Sequence, residues 1–177
     1  MKQIRLLNES TKAYGGELLK TRKGRSTGRP LDTKNSMHLV LRSSKAKNEM
    51  SFRRHSKKIK SITDKFAQKY GVKIYSLANV GNHLHFHLHL GNRHTYKPFI
   101  RAITAAIAMT VSKTSRWQKA LYKGKFWDYR PFTRVIVGFK ALLNLRDYIK
   151  INQLEGGGTS RTIAEYIVKK NFKPARI

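Results

Sequence analysis

From Met37 to Leu41 every second residue is apolar, with His38 and Val40 between Met37, Leu39 and Leu41, and Arg42 following. A period of two belongs to a strand with one face in a core, so 37–44 is predicted to open the folded core. The period then lengthens. Phe52, Ile59, Ile62 and Phe66 recur at helical spacing across 51–71, where Gly71 is a ready helix terminator. The stretch VKIYSLANV, 72–80, returns to strand composition, and Gly81-Asn82 forms a hairpin turn into HLHFHLHL. Residues 94–122 carry an Ala/Ile stripe and read as a long helix with a basic end. A short strand is expected at Thr133 to Val137, inside an aromatic and basic stretch, and a helix at 140–153, stopped by Glu155 and three glycines. The segment SRTIAEYIVKKNF reads as a short terminal helix. This order predicts an α+β domain of the ferredoxin-like type, an antiparallel sheet with helices packed on one face.

Gly81 to Leu90 reads GNHLHFHLHL, placing four of the chain's seven histidines at positions 83, 85, 87 and 89. In a strand these share one face, while Leu84, Phe86, Leu88 and Leu90 share the other. Neighbours two residues apart stand ~7 Å apart, a separation two imidazoles can bridge to hold one divalent ion. Imidazole suits Mn, Co, Ni and Zn, and a harder ion where oxygen ligands complete the shell. The plain alternative is a polar strand face. No Asp or Glu occurs between Asp64 and Asp128, so the remaining ligands would be an amide, water or a substrate's phosphate oxygens, which suits a metal that polarises a phosphate.

Charge narrows the partner. The chain has 38 Lys+Arg against 9 Asp+Glu, a formal +29 on 177 residues, and such an excess calls for a polyanion. The bases are spread along the chain, which favours nucleic acid. Arg53, Arg54, Lys57 and Lys58 line the outer side of the predicted 51–71 helix; Arg42, Arg130, Arg134, Arg146 and Lys150 are further phosphate contacts. Phe126, Trp127 and Tyr129 are candidates for base stacking, with core packing as the rival for Trp127. Residues 1–35 hold nine Lys/Arg and three acids and read as a basic arm. The absence of cysteine excludes disulfides, Cys-ligated zinc and thiol catalysis. The N-terminus lacks the apolar run of a signal peptide and no stretch approaches ~18 apolar residues, so a cytoplasmic, nucleoid-associated protein without membrane contact is expected.

Tyr148 and Asn152 stand one turn apart on the predicted 140–153 helix. Asn152 offers an amide oxygen to a metal seen by the histidines, and Tyr148 a phenol able to attack phosphorus. A phenol titrates near ~10, and the nearby cations Arg146 and Lys150 are expected to favour its ionised form.

Asn82-His83-Leu84-His85 at the end of a hairpin resembles the Pro-Asn-His-Val-His segment of single-tyrosine HUH transposases, whose name denotes a His-hydrophobic-His pair. GKFWDYRPFTRVI followed by ALLNLRDYIKIN is similar to the stretch before and around their catalytic tyrosine, which that family writes Tyr-Ile-x-x-Asn-Pro. The resemblance spans 36–156 and is nearest the REP-associated tyrosine transposase branch. It implies a catalytic domain at 36–156, with the arm before it and a basic tail or short helix at 157–177. It implies His83 and His85 as metal ligands, Asn152 completing the coordination, and Tyr148 as nucleophile. It further implies Mg2+ or Mn2+ as cofactor and single-stranded or hairpin DNA as partner, cleaved through a covalent 5′-phosphotyrosine by a monomer or homodimer. Val80-Gly81 stands where Met-Pro is common, and Gln153 where proline is usual. His85-Phe86-His87 satisfies the same pair pattern, but Asn82 favours the His83/His85 register and leaves His87 and His89 to DNA or water. A non-catalytic RNA- or DNA-binding module of the same fold, and a metal-dependent nuclease that uses water, remain the alternatives.

Overall fold

The computed structural model describes residues 14–15, 30–114 and 124–171. The elements run β1 (Tyr14–Gly15), β2 (Met37–Arg42), α1 (Ser56–Tyr70), β3 (Val72–Asn79), β4 (His83–Leu90), α2 (Tyr96–Val111), β5 (Phe132–Val135), α3 (Phe139–Gly156) and α4 (Arg161–Asn171). One antiparallel sheet has the order β1-β5-β2-β4-β3. Four of its strands, in the order β5-β2-β4-β3 and connected through α1 and α2, have the ferredoxin-like arrangement expected from the pattern. Most of the expected basic arm lies outside the described residues, as do 115–123 and the end of the chain after 171.

The pairing of β2 with β4 sorts the two faces. Met37 opposes Leu88, Leu39 opposes Phe86 and Leu41 opposes Leu84, and all six are buried. Against them pack Ile59 and Ala67 of α1, and Phe99, Ile103 and Ile107 of α2. On the other face, His38 opposes His87, Val40 opposes His85 and Arg42 opposes His83. The expectation of helices on one face holds for α1 and α2. The exception is α3, whose Leu145 and Ile149 pack on Ala78 and Ile136. Ala78 is the register partner of His85, so α3 lies on the histidine face, and α4 packs on α3.

Boundaries follow local chemistry. Phe52 enters the core from a turn ahead of α1, its amide bonded to the Gly81 carbonyl at 2.7 Å. Gly71 closes α1 with a positive φ of 62°, the left-handed geometry glycine adopts without steric cost. The expected 94–122 helix ends at Val111, where the Ser112 hydroxyl bonds back to the Ala108 carbonyl at 2.6 Å and Lys113 takes a φ of 53°. No helix among the described residues is long and apolar enough to cross a membrane.

The seating of α3 depends on Gly156. A Cβ there would stand 2.2 Å from the carbonyl oxygen of Asn79, so the end of α3 touches the end of β3 backbone to backbone. Gln153 Nε2 donates to the Leu77 carbonyl (3.0 Å) and Arg53 Nη2 to the Glu155 carbonyl (2.8 Å), which hold the same contact. Gly156→Ala is expected to lower stability by about 1–3 kcal/mol, as overpacking does, read from the urea midpoint; an unchanged midpoint would contradict this seating.

Candidate active site on the histidine face

Where α3 crosses the sheet, a cleft of about 240 Å³ opens between β2, β4, the start of β5 and α3. His83 and His85 of β4, His38 and Arg42 of β2, and Tyr148 of α3 line it, with Tyr129 and Arg130 at its rim and Val40 and Phe132 as its apolar wall. Tyr148 is 38% exposed. Its ring meets those of His85 (centroids 5.3 Å, 85°) and His38 (5.8 Å, 72°) edge-on, so residues 63 positions apart in sequence are neighbours. The His83 and His85 rings are themselves 4.7 Å apart.

Both histidines are held by Nδ1. His83 Nδ1 bonds the Asn82 side-chain oxygen at 2.6 Å, and His85 Nδ1 lies 3.2 Å from His38 Nε2. A ring nitrogen fixed in this way determines the orientation of the other, as for metal-binding histidines generally. His85 is 3% exposed and its Nε2 is buried without a hydrogen-bond partner. Among the described residues no three His, Cys, Asp or Glu side chains gather as a metal cage. The residues therefore fit a divalent ion as a two-imidazole site with further oxygen ligands from water or substrate. The orphaned Nε2 is the observation that favours such an ion.

Burial lowers the basicity of His38, His83, His85 and His87. His38 is held at about 4 by burial and then by Arg134 and His87. His85 is held at about 3 by burial and then by His38 and His83. His83 is lowered by burial and Arg42, partly offset by Glu155, and His87 by burial. Neutral imidazole is the form that ligates a metal. Cationic character comes instead from the guanidiniums. Arg42 is steadied by Asp128 (Nε–Oδ2 3.5 Å), which accepts from the Ser44 amide and hydroxyl at 2.8 Å each.

The expected site residues divide. His83, His85, Tyr148, Arg42 and Arg130 meet in the cleft, and Arg134 shares its strand face as register partner of His38. Asn152 does not line the cleft: it is buried, and its amide donates to the Tyr148 carbonyl at 2.7 Å. Arg146 and Lys150 flank Tyr148 at two residues' distance on α3, and such neighbours point to opposite sides of a helix. Neither lines the cleft, and Arg146 pairs with its neighbour Asp147 (Nη2–Oδ1 2.9 Å). Trp127 is packed on Phe52 (5.6 Å) with its indole N–H bonded to the Thr104 carbonyl at 3.0 Å, so of its two readings the core one describes it; Tyr129, 41% exposed, remains at the cleft. Arg54 pairs with Glu49 at 2.6 Å. Arg54, Lys57 and Lys58 are exposed at the start of α1, across the sheet from the cleft, while Arg53 lies against the end of α3. His87, expected to meet DNA or water, is buried beneath Tyr75, with ring centroids 4.7 Å apart.

Sequence reasoning missed His38, Asp128 and Glu155. His38 carried one signal, its place on the alternate face of MHLVLR, but its neighbour His85 is set by strand register. Glu155 reaches His83 only because α3 crosses the sheet.

Acid should expose the buried histidines. Above pH 6.5, the ordinary histidine value, both folded and unfolded chains hold them neutral. Below it the unfolded chain binds protons that folded His38 and His85 refuse until about 4 and about 3. Stability is therefore lost as pH falls through this window, on the order of several kcal/mol in total. Urea unfolding of metal-free protein between pH 7 and 4.5 should show this decline, shallower in His38→Phe; equal declines would mean that His38 is solvated.

The chain matches the family described as IS200-like transposase over residues 33–152. No curated protein matches it. Among solved structures, a REP-associated tyrosine transposase bound to a REP hairpin shares the fold, with a TM-score of 0.60 and 14% identity over 77% of this chain and 76% of that one. A Deinococcus radiodurans R1 protein described as a transposase gives 0.46 and 19% over 75% and 98%. The family match takes in every residue lining the cleft, from His38 to Tyr148. The chain belongs to the IS200-like transposase family.

Proposed function

We propose that this transposase cleaves and rejoins single-stranded DNA, at a hairpin or repeat, with Tyr148 as nucleophile. The observation that carries this reading is the phenol of Tyr148 edge-on to His85 in a cleft lined by His83, Arg42 and Arg130 and, among the described residues, by no acid. A phosphodiester entering there meets two guanidiniums, of Arg42 and Arg130, and the imidazoles of His38, His83 and His85. The phenolate oxygen of Tyr148 attacks phosphorus, a P–O bond forms, and the bond to the 3′ oxygen breaks. The products are a 5′-phosphotyrosine and a strand end whose 3′ oxygen takes up a proton. Attack by such a 3′-hydroxyl on the phosphotyrosine reverses the chemistry at a new junction.

His83 and His85 would hold a divalent ion, Mg2+ or Mn2+, whose charge would polarise the phosphate and favour the phenolate. Arg42, fixed by Asp128, and Arg130 bind the phosphate and its neighbours, since guanidinium geometry matches phosphate oxygens. Tyr129 stacks on an unpaired base. The bases of α1 lie across the sheet and contact a different segment of DNA, so they add affinity without touching the scissile phosphate.

The test is a labelled single-stranded hairpin incubated with Mg2+ or Mn2+. A protein–DNA adduct that survives denaturation is expected, absent in Tyr148→Phe and after chelation. His83→Ala and His85→Ala should each reduce cleavage roughly 100-fold or more, and His89→Ala should mainly weaken binding. Cleavage without an adduct would replace tyrosine with water as nucleophile.

A further inference from the structure

His38 is outside the His-x-His motif, yet its Nε2 meets His85 Nδ1 at 3.2 Å with the two rings nearly parallel (17°). Two neutral rings can share this bond in two ways. If His38 donates, the proton of His85 sits on Nε2, a buried atom with no acceptor. A buried N–H without a partner is the costlier kind of orphan, and native proteins avoid it more strictly than an unused lone pair. If His85 donates instead, its Nε2 carries only a lone pair, and the proton of His38 moves to Nδ1, which is not among the buried atoms lacking a partner. The second arrangement leaves no buried N–H orphan at the pair.

We propose that His38 is a positioning residue, whose Nε2 accepts the Nδ1–H of His85 and fixes His85 in the tautomer that presents a bare Nε2 to a divalent cation. Asn82 does the same for His83, since an amide oxygen only accepts. The two ligands are thus set by different means: His83 by the residue before it, His85 by a neighbouring strand, through the register that opposes Val40 to His85 and leaves His38 diagonally across from it. The pair stands beneath Tyr148, whose ring lies against both. A shift of His38 therefore disturbs the ligand and the floor under the nucleophile together.

The inference rests on the proposed metal role of His85, and its test separates the two. In metal-free protein, the imidazole nitrogen spectrum of His85 is expected to show protonated Nδ1 and bare Nε2; protonated Nε2 would overturn the proposal. Two variants of similar volume follow. Gln keeps an acceptor near the place of Nε2, and Met does not. Mn2+ affinity, measured by titration on folded protein, should stay within about threefold of the parent in His38→Gln and fall about 10–100-fold in His38→Met, the usual cost of losing such a partner. Equal affinities in the two variants would overturn the proposal. If the parent protein binds no Mn2+, the metal reading falls, while the nitrogen spectrum still decides the direction of the bond. The same spectrum decides it if the variants fail to fold.

Discussion

The register between β2 and β4 is the constraint on which the molecule depends. A shift of one residue would send Met37, Leu39 and Leu41 to the histidine face and bring His38 and Arg42 into the core. The cost of burying those polar groups holds the register in place. The same ladder pairs Arg42 with His83 and Val40 with His85, which leaves His38 within diagonal reach of His85, so packing of the apolar face positions the polar face. Fold and site are two sides of one pairing.

The second organising element is α3. A narrow apolar stripe, Leu145 and Ile149, seats it over Ala78 and Ile136, and the backbone contact at Gly156 allows the close approach. Its placement converts an open strand face into a cleft. That cover removes water from His38 and His85, keeps them neutral, and strengthens the field of the two cleft arginines. A strongly basic chain thereby keeps buried, uncharged imidazoles beside a rim and surface that carry its positive charge. Asp128 steadies Arg42, whereas Glu155 engages Arg161 of α4 at 3.3 Å.

Much of this was legible residue by residue. The alternation in MHLVLR and HLHFHLHL marked both strands and their faces, since side-chain period depends on backbone geometry alone. Asn82, His83, His85 and Tyr148 were recognisable because their spacing carries a motif, and three of the four line the cleft. Asn152 shows where spacing stops: one turn from Tyr148, it is turned inward and bonded to the Tyr148 carbonyl. Trp127 shows the same for composition. An aromatic beside basic residues suits both a base and a core, and only the Thr104 carbonyl and the ring of Phe52 describe its actual setting.

The sequence by itself determined the class of the domain, the histidine face, the nucleophile candidate and the excess of positive charge. These follow from local periodicity, motif spacing and net charge, which require no knowledge of neighbours. Tertiary structure decided which cations reach the cleft, that α3 lies on the histidine face, and that His38 partners His85. Contacts between distant segments depend on strand register and helix seating, and these are settled by the packing of the whole core.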